Sequence, residues 1–347
     1  MRIALLGAGR IGTAHAANLR VHPEVSQLLI ADSDAGRARS AAELVGAQPA
    51  GDVDAALAAA PDAVVIATPT STHAELILRA VDAGVPVFCE KPVAGDVRQT
   101  VDVARRVAES GIPVQIGFQR RFDAGYQAAR AALRAGEVGT LHRLHLVTGD
   151  PAPPHANYVP LSGGIFRDCH IHDFDIARWL TGTEVVEVYA TGANRGAPFF
   201  AQAGDVDTAT TILTFADGTL ATVQGSRYNG AGYDVRAELA GTRGTYVVGL
   251  DGRSPLRSAE PGAPPSAGPA WPDFWHRFRP AYAAEMAAFL DLVAGRTGNP
   301  CPVADALEAL YVAEAAELSR HERRPVRVDE VRGDDVRLTH PAGVGSR

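Results

Sequence analysis

The turn Gly7-Ala8-Gly9-Arg10-Ile11-Gly12 constrains this chain more than any other stretch. It follows the apolar run 3–6 directly and opens a helix-forming stretch, so its glycines fall where a strand passes into a helix. In such a G-x-G-x-x-G turn the first glycine permits the tight reversal, the second lets the backbone approach a pyrophosphate, and the third lets the helix pack closely. The helix N-terminus then turns its free N–H groups toward the phosphates. Asp32 ends the second apolar run, twenty residues beyond Gly12, where its carboxylate would accept from both ribose hydroxyls and repel a 2′-phosphate. NAD is therefore the expected cofactor, with NADP second. Arg37 and Arg39 either meet that phosphate or form a solvated helix face.

The rest of the first third extends the same pattern. Residues 3–6, 28–31, 63–67, 85–88 and 114–116 are apolar runs of strand length, as expected of parallel strands buried on both faces. Helix-length segments at 35–45, 72–83 and 97–109 separate them, and Gly84 and Gly111 follow the last two as stops. This order predicts an α/β fold, with an N-terminal doubly wound Rossmann domain over 1–118. From 119 to 330 the texture changes to a helix at 126–135, a strand at 141–147, a Pro-rich loop at 151–160 and a helix at 164–180. Strands then dominate, at 185–190, 208–215, 219–224, 235–240 and 245–248, with Asp217-Gly218 as a hairpin turn. A substrate-binding and oligomerisation α+β domain with an open, mostly antiparallel sheet is expected there. Residues 251–280 hold seven prolines without periodicity and predict a long loop. Two helices follow, with Met286, Phe289, Leu290 and Val293 on one face and Leu307, Leu310, Tyr311 and Leu318 on the other. Both should pack, and they could pack back on the first domain; 331–347 read as a polar tail.

Composition narrows the class of partner. Lys+Arg total 33 against Asp+Glu 40, a formal charge of -7 without long like-charge runs, which argues against nucleic acid or an anionic membrane. No apolar run approaches the roughly 18 residues of a membrane span, and residues 3–9 lack the basic flank of a signal peptide. Cys89, Cys169 and Cys301 are odd in number and lack zinc-type spacing, so they read as reduced thiols in a cytoplasmic protein.

Of the 33 basic residues 32 are Arg, and the one Lys, Lys91, stands in Glu90-Lys91-Pro92 at the end of a predicted strand. Ligands of doubly wound sheets bind beyond such strand ends. A lysine can lose its proton when desolvated and an arginine effectively cannot, so Lys91 marks a proton-relay position; the alternative is a surface lysine kept by chance. Residues 163–179 read G-G-I-F-R-D-C-H-I-H-D-F-D-I-A-R-W. On a helix Asp168 and His172 would be i, i+4 neighbours, with the carboxylate orienting an imidazole that acts as general base. His170 and His172 would lie about 200° apart on that helix, so no metal is expected, although the His/Asp cluster leaves a metal-dependent lyase as a competitor.

Together with Ala67-Thr68-Pro69 and Gly117-Phe118-Gln119-Arg120-Arg121-Phe122-Asp123, these motifs resemble the glucose-fructose oxidoreductase/inositol dehydrogenase/rhizopine-catabolism (Gfo/Idh/MocA) family. Asp150-Pro151-Ala152-Pro153-Pro154, residues 162–180 and Gly232-Tyr233-Asp234 resemble its inositol 2-dehydrogenases. The resemblance covers nearly the whole chain. It implies an NAD-dependent dehydrogenase acting on CH–OH, which oxidises a ring hydroxyl of myo-inositol to 2-keto-myo-inositol (scyllo-inosose). A same-family dehydrogenase of scyllo-inositol, another cyclitol or a sugar is the alternative, and a non-catalytic dinucleotide-binding regulator a distant one.

By this resemblance Lys91, Asp168 and His172 are catalytic. Gly7, Gly9, Arg10, Ile11, Gly12, Asp32, Thr68, Pro69, Glu90 and Lys91 line the cofactor, and Lys91, Arg121, Asp150, Asn157, Asp168, His172 and Tyr233 line the polyol. Arg120, Arg121 and Asp123 have a second reading as a salt-bridged turn between domains. Two positions depart from the family pattern: Gly149 stands where Arg commonly precedes Asp-Pro, and Gln119 where Asn commonly precedes the paired Arg. Both bear on which polyol is taken. The family habit and an antiparallel sheet with one uncovered apolar face imply a homotetramer built sheet to sheet.

Overall fold

A computed structural model describes residues 1–263 and 268–333. The tail beyond 333 and residues 264–267 of the expected Pro-rich loop lie outside the described residues.

The chain opens with β1 (Arg2–Leu6), α1 (Arg10–Arg20), β2 (Gln27–Ala31), α2 (Ala35–Val45), β3 (Gln48–Pro49), α3 (Val53–Ala58), β4 (Ala63–Ile66), α4 (His73–Asp82), β5 (Val87–Glu90), α5 (Val97–Ser110) and β6 (Val114–Gly117). The six strands form a parallel sheet in the order β3-β2-β1-β4-β5-β6. Connections run to one side from β1 and to the other from β4, so the sheet has its switch point between these strands, above the Gly7 turn. Ile3, Leu5, Val64, Val65 and Ile66 are fully buried, which explains why these strands read as unbroken apolar runs. The two-residue β3 has no such run; it is an edge strand whose proline needs no donor on its outer side.

The second part contains α6 (Ala124–Arg134), β7 (Leu141–Gly149), α7 (Val159–Ser162), α8 (Ile171–Thr181), β8 (Val185–Ala193), α9 (Phe199–Gln202), β9 (Thr208–Phe215), β10 (Leu220–Ser226), β11 (Asp234–Gly241), β12 (Thr245–Val248), α10 (Phe274–Val293), α11 (Val303–Glu322) and β13 (Val326–Arg327). Its seven-stranded sheet runs β12-β11-β7-β10-β9-β8-β13. Every pair is antiparallel except β7 with β10. That exception shapes the site. In the parallel register Gly149 faces Ser226, so the residues that follow, Asp150 and Arg227, leave the sheet side by side.

Two expected boundaries move. Helix α10 begins at Phe274, inside the stretch expected to be loop, where the Asp273 carboxylate caps it by accepting from the His276 N–H at 2.9 Å. Pro280 lies within this helix and costs it about 3 kcal/mol. Burial of Phe278, Met286, Phe289 and Leu290, at roughly 1.5–3 kcal/mol each, outweighs that loss. The last three pack with Ile3, Leu5 and Phe88, so α10 closes the core of the first sheet although it follows the second in sequence. The other change is at 164–180, where residues Phe166–His170 form a π-turn before α8. A π-turn widens the helix by one residue; Asp168 stands within it and His172 in the first turn of α8.

Candidate active site

At the nucleotide end the glycine turn is sterically obligatory. Gly7 has φ +97°, and a Cβ there would lie 2.6 Å from the Ala67 backbone; a Cβ on Gly12 would lie 1.8 Å from the Gly7 carbonyl oxygen. Gly9 differs, because a Cβ there would meet nothing within 4 Å. Aspartate carboxylates cap α2, α3 and α5, whereas α1, which starts after Gly9, has no side-chain cap. Its first-turn N–H groups, at Arg10, Ile11 and Gly12, are left for an anion. At the end of β2 the Asp32 carboxylate accepts from the Ala8 N–H at 2.7 Å, the Asp34 N–H at 2.9 Å and Arg37 at 2.7 Å. Burial raises its pKa, yet Arg37 and the backbone donors prevail and hold it down to about 2. Arg37 is thus a half-exposed partner of Asp32 and no longer only a solvated helix face. An uncapped helix start, open space at Gly9 and an ionised Asp32 fit a dinucleotide.

Behind the turn, His73 bridges two loops, with Nε2 2.9 Å from the Thr68 carbonyl and Nδ1 2.7 Å from that of Pro92. From the first position of α4 it ties Thr68-Pro69 to the loop bearing Lys91, as a structural brace. Glu90 Oε1 lies 2.6 Å from Nε2 of the buried His15, so the carboxylate next to Lys91 is held from α1.

Lys91 points at the second domain. Its ammonium donates to the Asp168 carbonyl at 2.9 Å and to Asp168 Oδ1 at 3.2 Å. An ammonium carries three N–H donors, so one remains. Asp168 Oδ1 also accepts from the Tyr158 hydroxyl at 2.9 Å, and Oδ2 accepts from Arg227 at 2.7 Å. Burial opposes ionisation of this carboxyl, but Lys91 and Arg227 overcome it and hold it well below the usual carboxylate range. Arg227 reaches Asp150 Oδ2 at 3.3 Å with its other arm. Asp150 is pushed up by burial, with Arg227 pulling the opposite way.

Asp168 makes no hydrogen bond to His172, which corrects the expected orienting pair: its oxygens are taken up by Lys91, Tyr158 and Arg227. His172 instead has Phe118 against its ring, centroids 5.6 Å apart, and its buried Nδ1 has no partner among the described residues. Burial, then the positive charges of Lys91 and Arg120, keep this imidazole neutral well below its ordinary pKa. Tyr233 is buried against Phe278. Burial raises its phenol, and the pairing of the next residue, Asp234, with Gly149 sets Tyr233 near the Asp150 end of β7.

Two expected polyol contacts fall elsewhere. Arg121 is buried and donates four hydrogen bonds: it forms a two-pronged pair with Asp175 at 2.6 and 2.9 Å, and donates to Asp305 at 2.7 Å and the Pro300 carbonyl at 2.9 Å. It is a strut between α8 and the start of α11, and Arg120, paired with Asp173 and Thr148, is its neighbour. Asn157 is exposed, and its N–H donates to His155 Nδ1; the adjacent Tyr158 is the loop residue that reaches Asp168. His170 sits buried between Phe166 and Phe174, its pKa pushed down by burial to about 3. Burial raises the Cys169 thiol well above its usual value. No three metal-ligating side chains converge among the described residues, and no described helix is long and apolar enough to cross a membrane.

Arg227 and Tyr158 carry no motif, and reading the sequence passed over both. The available signal for Arg227 was its place directly after a strand, but its pairing with Asp150 depends on the parallel β7–β10 register.

The chain matches known proteins over both of its halves. Residues 1–118 match the NAD-binding Rossmann fold of the oxidoreductase family, and residues 126–247 match the GFO/IDH/MocA C-terminal domain. The chain is 39% identical over 323 residues to "Myo-inositol dehydrogenase Hyg17" of Streptomyces leeuwenhoekii, covering 92% of this chain and 97% of the relative. It superposes on a myo-inositol dehydrogenase from Corynebacterium glutamicum with a TM-score of 0.87 at 37% identity, covering 94% of this chain and 98% of that one. A scyllo-inositol dehydrogenase from Lactobacillus casei, solved with NAD(H) and scyllo-inositol, gives 0.85 at 28% identity, covering 95% and 99%. With both halves matched in order, the chain belongs to the GFO/IDH/MocA family of oxidoreductases.

Proposed function

We propose that the protein oxidises a ring hydroxyl of a cyclitol with NAD as acceptor, turning myo-inositol into 2-keto-myo-inositol. The observation that carries this reading is the Lys91–Asp168 contact at 3.2 Å, which sets an ammonium with one free donor beside carboxylates suited to hydroxyl groups. NAD, when bound, supplies the two-electron acceptor for the carbinol carbon. Gly9, the first turn of α1 and Asp32 would hold it, with Arg10, Ile11, Thr68 and Pro69 lining the same end.

The substrate oxygen would take the free donor of Lys91, which stabilises negative charge as the O–H bond breaks. Neutral His172 accepts the hydroxyl proton. Asp168 keeps the Lys91 ammonium in place, and Asp150 and Tyr233 are the further polyol contacts. An alcohol oxidation needs a proton acceptor that is unprotonated at neutral pH, and a desolvated imidazole with cationic neighbours meets that need. NAD is favoured over NADP because an ionised Asp32 repels a 2′-phosphate.

Scyllo-inositol is the second reading, since the solved relative with that ligand shares the fold. The open face of the second sheet bears Tyr189, Ile212 and Leu220, all more than a third exposed, and supports a homotetramer joined sheet to sheet. The three cysteines are unpaired, in keeping with a cytoplasmic location. Initial rates at 340 nm with NAD and NADP across myo-, scyllo- and D-chiro-inositol and glucose test the reading. The expected result is NAD-linked turnover fastest with myo-inositol; turnover of glucose alone would refute it.

A further inference from the structure

Arg227 is a buried charge beside Asp168, with its side chain 4% exposed. Its backbone N–H donates to the Asp207 carbonyl at 2.7 Å, which fixes the residue where it leaves β10. One arm of the guanidinium reaches Asp168 Oδ2 at 2.7 Å and the other Asp150 Oδ2 at 3.3 Å. The two carboxylates arrive from unrelated places, Asp150 from the end of β7 and Asp168 from the π-turn. The charge of Asp168 disfavours ionisation of Asp150. Around Asp168 stand Lys91 from the loop after β5, Tyr158 from the loop before α7, Arg227 after β10, Asp150 after β7, and Cys169 and His172 on its own helical segment. Lys91 and Tyr158 both serve Oδ1, so Oδ2 depends on Arg227. With it the cluster holds two positive and two negative charges; without it Lys91 alone faces two carboxylates.

We propose that Arg227 is a positioning residue for the oxidation: it clamps Asp168 and Asp150 at a fixed separation and thereby aims the free donor of Lys91 at the substrate oxygen. The inference rests on the cyclitol dehydrogenase reading and adds a residue to it. A planar guanidinium can span two carboxylates, whereas an ammonium supplies the charge without the fork. Arg227→Lys and Arg227→Gln therefore separate charge from geometry.

The test is the pH profile of kcat/KM for myo-inositol at saturating NAD for wild type and both variants, with NAD affinity measured by calorimetry as a check on folding. Arg227→Gln is expected to move the acidic limb upward by about one pH unit or more and to lower kcat about tenfold or more. Arg227→Lys should return the limb close to its wild-type position while kcat stays low. NAD affinity should remain within about twofold in both. An unmoved acidic limb in Arg227→Gln, or full recovery of kcat in Arg227→Lys, would overturn the clamp. If wild type oxidises no cyclitol, the dehydrogenase reading fails, and the clamp is then decided without substrate by a double-mutant cycle. Melting temperatures of Arg227→Gln, Asp168→Asn and the double variant should be strongly non-additive; additive shifts would overturn it.

Discussion

Lys91 donates to both the main-chain carbonyl and the carboxylate of Asp168, at 2.9 and 3.2 Å. One residue directly follows β5 of the nucleotide domain and the other stands in the π-turn of the second, so this contact joins the two halves at the point where chemistry is proposed. Replacing Lys91 with Arg keeps a positive charge but removes a compact, deprotonatable donor. The expected outcome is a loss of kcat of about 10²–10⁴-fold with NAD affinity unchanged. Steady-state kinetics with calorimetric NAD binding checks it.

Gly9 and Gly12 should respond oppositely to alanine. Gly9 has open space and an ordinary backbone conformation, with φ -70°, so Gly9→Ala should leave the melting temperature near wild type and weaken NAD binding about tenfold or more. Gly12→Ala drives a methyl into the Gly7 carbonyl and should lower the melting temperature with or without nucleotide.

Arg121 is expected to act on stability. Arg121→Met strands the buried Asp175 carboxylate, and breaking such a pair costs about 3–5 kcal/mol. Chemical denaturation should report that loss. A polyol contact would instead raise KM for myo-inositol without changing the unfolding midpoint.

Asp32 gives a pH signature. Its pKa is lowered from 3.8 to about 2 in the folded chain. A carboxyl depressed by folding contributes stability that is fully present above its unfolded pKa and is lost as pH falls through the folded one. The difference in melting temperature between wild type and Asp32→Asn should therefore be constant above about pH 5 and shrink between about pH 4 and 2. The same variant should relax the preference for NAD over NADP.

What could be read in the sequence was what is local. The glycine turn, the acid at the end of β2 and the lone lysine after β5 each lie within a few residues of the element that gives them meaning. Arg227 does not, because its role arises from a parallel strand pair whose members are 77 residues apart. The π-turn was illegible for a different reason: residues 166–170 suit an ordinary helix equally well, and a wider turn has no simple sequence pattern. Arg121 was left between a polyol contact and a salt-bridged turn because a motif preserves identity without saying whether a guanidinium faces substrate or its own core; its pairs with Asp175 and Asp305 follow the second reading. Helix α10 was hidden at its start by prolines, whose local cost is overcome only by packing against strands far earlier in the chain.

Oxidation at a ring carbon of a cyclitol by direct hydride transfer to NAD leaves a signature that deuterium reads. Myo-inositol deuterated at carbon 2, incubated with the protein and NAD, should yield 2-keto-myo-inositol and reduced cofactor carrying one deuterium by mass spectrometry, in equal amounts. Reduced cofactor without deuterium, or none formed, would contradict it.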